Sequence, residues 1–141
     1  MTWIVWALLS AFFAGATAIL AKIGVANVNS SLATAIRTTV VLFITWGIAF
    51  ASVPAAELTM PSRKTLLFLG LSGCATGLSW LCYFRALQLG EASRVAPLDK
   101  LSVVFVIVFA ALFLRERLTW QNAVGGALIV AGSLVLAWRP T

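Results

Sequence analysis

The sequence predicts an all-α integral membrane protein with five transmembrane helices. Of its 141 residues, 62% are apolar and only 10% are charged, and the mean hydropathy is +1.04. A soluble domain carries roughly 25% charged residues, and with so few charges it would expose large apolar patches, which soluble monomers avoid. The apolar residues also form runs close to the length of about 20 residues that crosses a bilayer.

Three of these runs contain no charged residue, and two more must include charges to reach spanning length. The uncharged runs are residues 3–21, 65–84 and 118–138, and the second span includes Arg37. The fourth must begin near residue 95, which brings Pro97, Asp99 and Lys100 into the membrane or to its edge. We therefore expect one transmembrane domain over residues 1–141, with helices at about 3–22, 31–53, 65–88, 95–114 and 118–138.

Small residues recur on the third and fifth predicted spans at spacings that favour close helix packing. Lipid removes most of the hydrophobic drive for helix association, so packing depends on small side chains that let two backbones approach. The packing positions that we expect are Gly73, Gly77, Gly125, Gly126, Ala127, Ala131 and Gly132.

A stripe of polar side chains follows one face of the third predicted span. Ser72, Thr76, Ser79 and Tyr83 recur at helical spacing, and Trp80 lies beside them. Such a stripe lines a cavity in some proteins, whereas in others the hydroxyls only bond to carbonyls of their own helix. The sequence leaves both interpretations open.

Four charged residues fall inside predicted spans, namely Arg37, Arg85, Asp99 and Lys100. At mid-membrane each costs about 2.5–3.5 kcal/mol, so such residues usually pair or face water. The two arginines lie near span ends, where snorkelling to the interface is an alternative. Adjacent residues point about 100° apart on a helix. We therefore expect Asp99 and Lys100 not to pair with each other, but each to find a partner on another helix or in a substrate. The alternative is a salt bridge to another helix that only stabilises the bundle.

The composition argues against several other function classes. The net charge is +6, but the basic residues are scattered between apolar runs, so we expect no nucleic-acid binding. Cys74 and Cys82 would lie roughly 12 Å apart on one helix, beyond disulfide reach, and we expect both to be buried. There is no histidine, and no metal cluster or catalytic set is recognisable. We expect no cofactor, no metal and no enzymatic activity.

Two segments carry a family resemblance. Residues 83–102, YFRALQLGEASRVAPLDKLS, resemble the centre of the EamA domain of the drug/metabolite transporter superfamily. Residues 116–119, ERLT, and 126–132, GALIVAG, resemble its closing helix. The resemblance implies secondary transport, often export, by alternating access around a cavity lined by the fourth helix. Most members contain two inverted five-helix repeats, whereas this chain has one, like the five-helix bacterial and archaeal members.

A single repeat implies a partner, because transporters of this kind bind substrate between inverted repeats. Basic residues are nearly balanced between the two sides, which favours insertion in both orientations. One side receives Arg63, Lys64, Arg115 and Arg117, and the other receives Lys22, Arg94 and Arg139. We expect a dual-topology antiparallel homodimer of ten helices, embedded in lipid as a multi-pass protein of the bacterial inner membrane.

The resulting hypothesis is a secondary transporter that exports a small organic metabolite or drug through the dimer interface. Asp99 is the only acid well inside a span and is the expected proton or cation site, and Pro97 is the expected helix hinge. The predicted substrate-binding residues are Asp99, Lys100, Arg37, Arg85, Trp80, Tyr83, Ser79 and Ser102. The alternative is a non-transporting membrane subunit that stabilises or regulates a larger complex.

Overall fold

The computed structural model describes residues 2–57 and 59–138, and the regular structure of this part is entirely helical. The helices are α1 (Trp3–Gly24), α2 (Ser30–Ser52), α3 (Arg63–Leu89), α4 (Ala92–Asp99), α5 (Ser102–Phe113) and α6 (Trp120–Ala137). A 3₁₀ turn, Ala55–Glu57, lies between α2 and α3. Because α4 and α5 together form one span, the described residues contain five helices long and apolar enough to cross a membrane. This confirms the predicted fold class.

Side-chain caps define where two of the helices begin. The carboxamide oxygen of Asn29 accepts a hydrogen bond of 2.9 Å from the backbone N–H of Ser31, at the start of α2. The hydroxyl of Thr119 accepts one of 3.3 Å from the N–H of Asn122, at the start of α6. Each cap satisfies an N–H group that has no partner within its own helix.

The fourth span is interrupted, although the sequence predicts one helix over residues 95–114. The first segment, α4, ends at Asp99 and the second, α5, begins at Ser102, with a turn between them. In this turn the N–H of Leu101 bonds to the carbonyl of Leu98 at 3.0 Å, three residues back instead of four. Pro97 precedes the turn and has no N–H of its own to continue the regular pattern.

The chain divides into two compact units. The first comprises Met1–Lys22 and Leu89–Thr141, and in it α6 packs against α4 and α5. Gly126 of α6 is buried there, and a Cβ at this position would lie 3.6 Å from Cδ1 of Ile107. The second unit, Ile23–Gln88, contains α2 and α3, and its buried residues include Val25, Phe84 and Leu87.

Most of the large apolar side chains are exposed, as expected of helices that lie in lipid. Trp3, Phe43 and Phe113, on three different helices, are each more than 70% exposed. Cys74 and Cys82 are free and exposed as well, so the expectation that both are buried was wrong. In a membrane, apolar side chains need not be buried in protein, because lipid tails are as apolar as leucine.

Candidate functional site

The interruption of the fourth span is stabilised by a side chain from another helix. The carbonyl of Pro97 accepts a hydrogen bond of 3.1 Å from the N–H of Lys100 and one of 2.9 Å from the hydroxyl of Ser133 on α6. Ser133 is only 5% exposed. In a regular helix the carbonyl of Pro97 would bond to Leu101, four residues later. The buried hydroxyl thus replaces a hydrogen bond that the break removes.

Asp99 and Lys100 lie at this break and contact each other, which corrects the expectation that they do not pair. Oδ2 of Asp99 lies 3.7 Å from Nζ of Lys100. The 100° separation applies only within a continuous helix, and α4 ends at Asp99. Both side chains are largely exposed, at 40% for Asp99 and 57% for Lys100. An exposed pair at this distance contributes little, so either group is able to exchange its partner. Ser102, the first residue of α5, is also exposed.

A second cluster joins Arg37 of α2 to Trp80 and Phe84 of α3, and we call it the arginine–aromatic cluster. Cζ of Arg37 lies 4.1 Å from the ring centroid of Trp80 and 5.6 Å from that of Phe84. Both distances fall within the range of cation–π attraction. Arg37 and Trp80 are half-buried and Phe84 is buried. The sequence indicates Arg37 and Trp80 separately but neither Phe84 nor this contact, which depends on how α2 meets α3.

Arg85 takes part in a different network. Its Nη1 donates to Oε1 of Gln88 at 3.0 Å. The amide nitrogen of Gln88 in turn donates to the carbonyls of Val28, at 2.6 Å, and Val25, at 3.2 Å. These carbonyls belong to the loop between α1 and α2, so the network joins that loop to the end of α3. Sequence reasoning missed Gln88, because a polar residue at the end of a span gives no sign of its partners.

The threonine hydroxyls in the spans bond to their own helices. Thr76 donates to the carbonyl of Ser72 at 2.9 Å, and Thr34 and Thr38 of α2 likewise donate to carbonyls four residues back. This is the local bonding that the sequence left open as an alternative to a cavity lining. On the same face of α3 as Thr76, Ser79 is exposed and Tyr83 is half-buried.

The predicted packing residues lie in two kinds of surroundings. Gly126 and Ala127 line an apolar groove of about 300 Å³ beside α5 and α6, in which Asn122 is the polar residue. A Cβ added at Gly73, Gly77, Gly125 or Gly132 would meet no neighbouring atom within 4 Å. Ala131 is exposed. No group of three or more His, Cys, Asp or Glu that suits a metal ion occurs among residues 2–57 and 59–138.

Comparison with known proteins identifies relatives of this chain. The profile of the EamA-like transporter family matches residues 1–138. An uncharacterized transporter of Sinorhizobium sp. is 54% identical over 136 residues, which is 96% of each chain. A probable 4-amino-4-deoxy-L-arabinose-phosphoundecaprenol flippase subunit of Erwinia tasmaniensis is 35% identical over 74 residues, 52% of this chain and 68% of the subunit.

A more distant relative is a probable terminal-alkyne amino-acid exporter of Streptantibioticus cattleyicolor. It is 36% identical over 81 residues, which is 55% of this chain but only 26% of the exporter. No solved structure matches the chain.

Proposed function

Because the chain belongs to the EamA-like transporter family, we propose that two copies pair in opposite orientations to form a ten-helix exporter of a small organic solute. Family membership makes the chain a multi-pass membrane transporter and not an enzyme. We assign residues 1–141 to one EamA-like transmembrane domain. We also propose that alternating access results from movement about the interrupted fourth span.

The observation that carries this proposal is the break between α4 and α5. Beyond Ser93 and Arg94 in its first turn the fourth span is mostly apolar, yet it contains a proline, two adjacent charged side chains and a turn with 3₁₀ in place of α-helical bonding. Irregular backbone at membrane depth is tolerated where it lines a cavity or is buried in protein. In transporters, discontinuous helices of this kind surround the substrate and coupling-ion sites.

Asp99 is the residue that we assign to coupling. The weak pair with Lys100, at 3.7 Å, leaves the carboxylate able to exchange the lysine for a proton or a cation. Its backbone lies where α4 ends, so a change in its charge acts directly on the turn that joins the two helical segments. Pro97 is the proposed hinge, and Lys100 and Ser102 are the neighbouring polar groups that a solute would meet.

Antiparallel pairing is supported by length and by charge. The Sinorhizobium transporter covers the same single repeat, since 96% of each chain is aligned. The two sets of basic residues named above number four and three, which is close to balance; of these, Arg139 lies outside the described residues. A balanced chain inserts both ways, and the two orientations together rebuild an inverted repeat.

The proposed direction of transport and the proposed solute class are based on the names of two relatives. The Streptantibioticus protein carries the name of a probable amino-acid exporter. Export of a small organic solute is therefore our leading assignment. The Erwinia protein is named a flippase subunit, which favours as a second candidate a non-transporting membrane subunit that stabilises or regulates a larger complex.

Proton-coupled flux in proteoliposomes tests the leading assignment. Liposomes filled with a pH-sensitive dye would receive a panel of amino acids, organic anions and cationic dyes under a pH gradient. We expect at least one solute to drive proton flux in the wild-type chain and Asp99→Asn to abolish it. Glu116→Gln, which removes an acid from the loop after α5, is the matched control and should retain flux. Full flux in Asp99→Asn would refute the coupling role.

The double variant Asp99→Asn with Lys100→Met separates transport from a purely structural role. If these residues only stabilise assembly, the double variant should lose its dimer in detergent. If they act in transport, it should purify as a dimer and lose flux. Size-exclusion chromatography with light scattering measures the difference.

A further inference from the structure

The guanidinium of Arg37 is held inside a membrane span by two aromatic rings. Arg37 is the eighth residue of α2, so it lies about 10 Å along the helix axis from Ser30. Its Cζ is 4.1 Å from the ring centroid of Trp80 and 5.6 Å from that of Phe84. Phe84 is only 3% exposed, so packing fixes its ring. The cation is thus positioned against α3.

The charge of Arg37 has no acidic partner in the part of the chain that the structure describes. Glu91 pairs with Arg94 and Asp99 pairs with Lys100, each at 3.7 Å. The remaining acids of the sequence are Glu57 and Glu116. Within the described residues, the Arg37 guanidinium contacts the rings of Trp80 and Phe84 and interacts electrostatically with Tyr83, and it forms neither an ion pair nor a hydrogen bond to an oxygen.

Other cations in or near the spans differ from Arg37 because they donate a hydrogen bond to an oxygen of the described chain. Lys22 donates to the carbonyl of Gly90 at 2.6 Å, and Arg85 donates to Gln88 at 3.0 Å. An intramembrane cation that is costly to insert usually marks a ligand path or pairs with another group. Among the described residues Arg37 has no such group, which leaves its guanidinium able to take one from a ligand.

The geometry of the cluster indicates which chemical group this is. A guanidinium carries five N–H donors in a planar fork that matches an oxyanion. A carboxylate accepts two such bonds in parallel. One guanidinium and one carboxylate give a neutral pair, whereas a phosphate monoester carries a charge of about −1.5 to −2 at neutral pH and would stay anionic.

We propose that Arg37 binds the carboxylate of the transported solute, with the half-buried ring of Trp80 as an apolar wall beside it. This rests on the proposed transport function and specifies its substrate class as organic monocarboxylates. The site favours an arginine over a lysine, because a lysine presents a point charge and not a planar fork.

A binding titration tests this without depending on transport. The full chain in phosphatidylcholine nanodiscs would be titrated with hexanoate, phenylacetate and phenylpropionate, with the corresponding amides, and with phenyl phosphate, while tryptophan fluorescence is recorded. We expect saturable binding of at least one carboxylate, at least about tenfold weaker binding of its amide, and a loss of about tenfold or more in Arg37→Gln. Arg37→Lys should bind at intermediate strength.

The controls test whether the loss of binding is specific to Arg37, whether each variant folds, and whether lipid competes for the site. Arg63→Gln removes an exposed arginine at the start of α3 and should bind like the wild type. Helical circular dichroism and monodisperse elution verify that each variant folds.

The proposal is overturned if no carboxylate binds saturably, if amides or phenyl phosphate bind as well as carboxylates, or if Arg37→Gln binds normally. Competition by phosphatidylglycerol that depends on Arg37 would assign the site to lipid phosphate instead. Normal binding without flux would refute only the transport assignment.

Discussion

At the scale of single residues, the hydroxyl of Ser133 stabilises a break in a neighbouring helix. It donates to the carbonyl of Pro97 at 2.9 Å and is 5% exposed. The same carbonyl also accepts from the N–H of Lys100 at 3.1 Å. Removing the hydroxyl would therefore weaken this carbonyl's bonding without leaving it wholly unpaired, so the cost should be that of one interhelical hydrogen bond.

We predict that Ser133→Ala lowers the free energy of unfolding by about 0.6–1.7 kcal/mol, from the average to the largest value measured for hydrogen bonds between membrane helices. Ser93→Ala is the control, because Ser93 is exposed on α4, the helix that contains Pro97. Equilibrium unfolding in mixed detergent micelles measures both variants. Equal stability of the two would show that the bond from Ser133 contributes nothing.

Sequence reasoning located the unusual residues of the fourth span but not their partners. A proline and two charges in an apolar run are visible in the sequence, whereas Ser133 is one of several small residues of α6 and nothing local distinguishes it. The expectation for Asp99 and Lys100 was wrong because it assumed a continuous helix. The contact of Arg37 with Trp80 depends on how α2 and α3 pack together. Helical periodicity predicts only which residues share a face of one helix, and not which helix that face contacts.

At the scale of elements, the break makes α4 and α5 two segments of one span. The N–H groups of Leu101 and Val104 each bond three residues back, at 3.0 and 2.9 Å. Such 3₁₀ bonding has poorer geometry than α-helical bonding and often marks a hinge. Proline inside a helix is less favourable than alanine by about 3 kcal/mol, so the proline itself opposes a continuous helix here.

We predict that Pro97→Ala makes the span more continuous and reduces transport by about tenfold or more, because the hinge loses its flexibility. Hydrogen exchange of the amides of residues 98–104 should slow in this variant. Pro61→Ala, in the loop before α3, should change neither exchange in that segment nor transport. Normal transport by Pro97→Ala would argue against a hinge at this position.

At the scale of the whole molecule, α3 has an unpartnered row of small residues. Gly70, Gly73 and Gly77 have open space where a Cβ would lie, in contrast to Gly126, which meets Ile107 at 3.6 Å. Small residues in register allow the backbones of two membrane helices to approach. Since no other element among the described residues occupies this row, a second copy is the partner that we expect there.

The native cysteines report the orientation of such a pair. Cys74 and Cys82 are both free and exposed on α3 and lie eight positions apart. If two α3 helices cross antiparallel near Gly77, Cys74 of one copy approaches Cys82 of the other. If they cross in parallel, each cysteine approaches its own equivalent.

We predict that a short bismaleimide cross-links the wild-type dimer in membranes, and that Cys74→Ser and Cys82→Ser each abolish the product, because an antiparallel contact needs one cysteine of each kind. A mixture of the two single variants in one membrane should restore it. Gly73→Leu should reduce cross-linking by obstructing the helix contact, whereas Gly15→Leu on α1 should not. Covalent dimers formed by each of the two single-cysteine variants alone would establish parallel pairing and remove the inverted-repeat carrier, because parallel copies place no inverted half opposite the interrupted span.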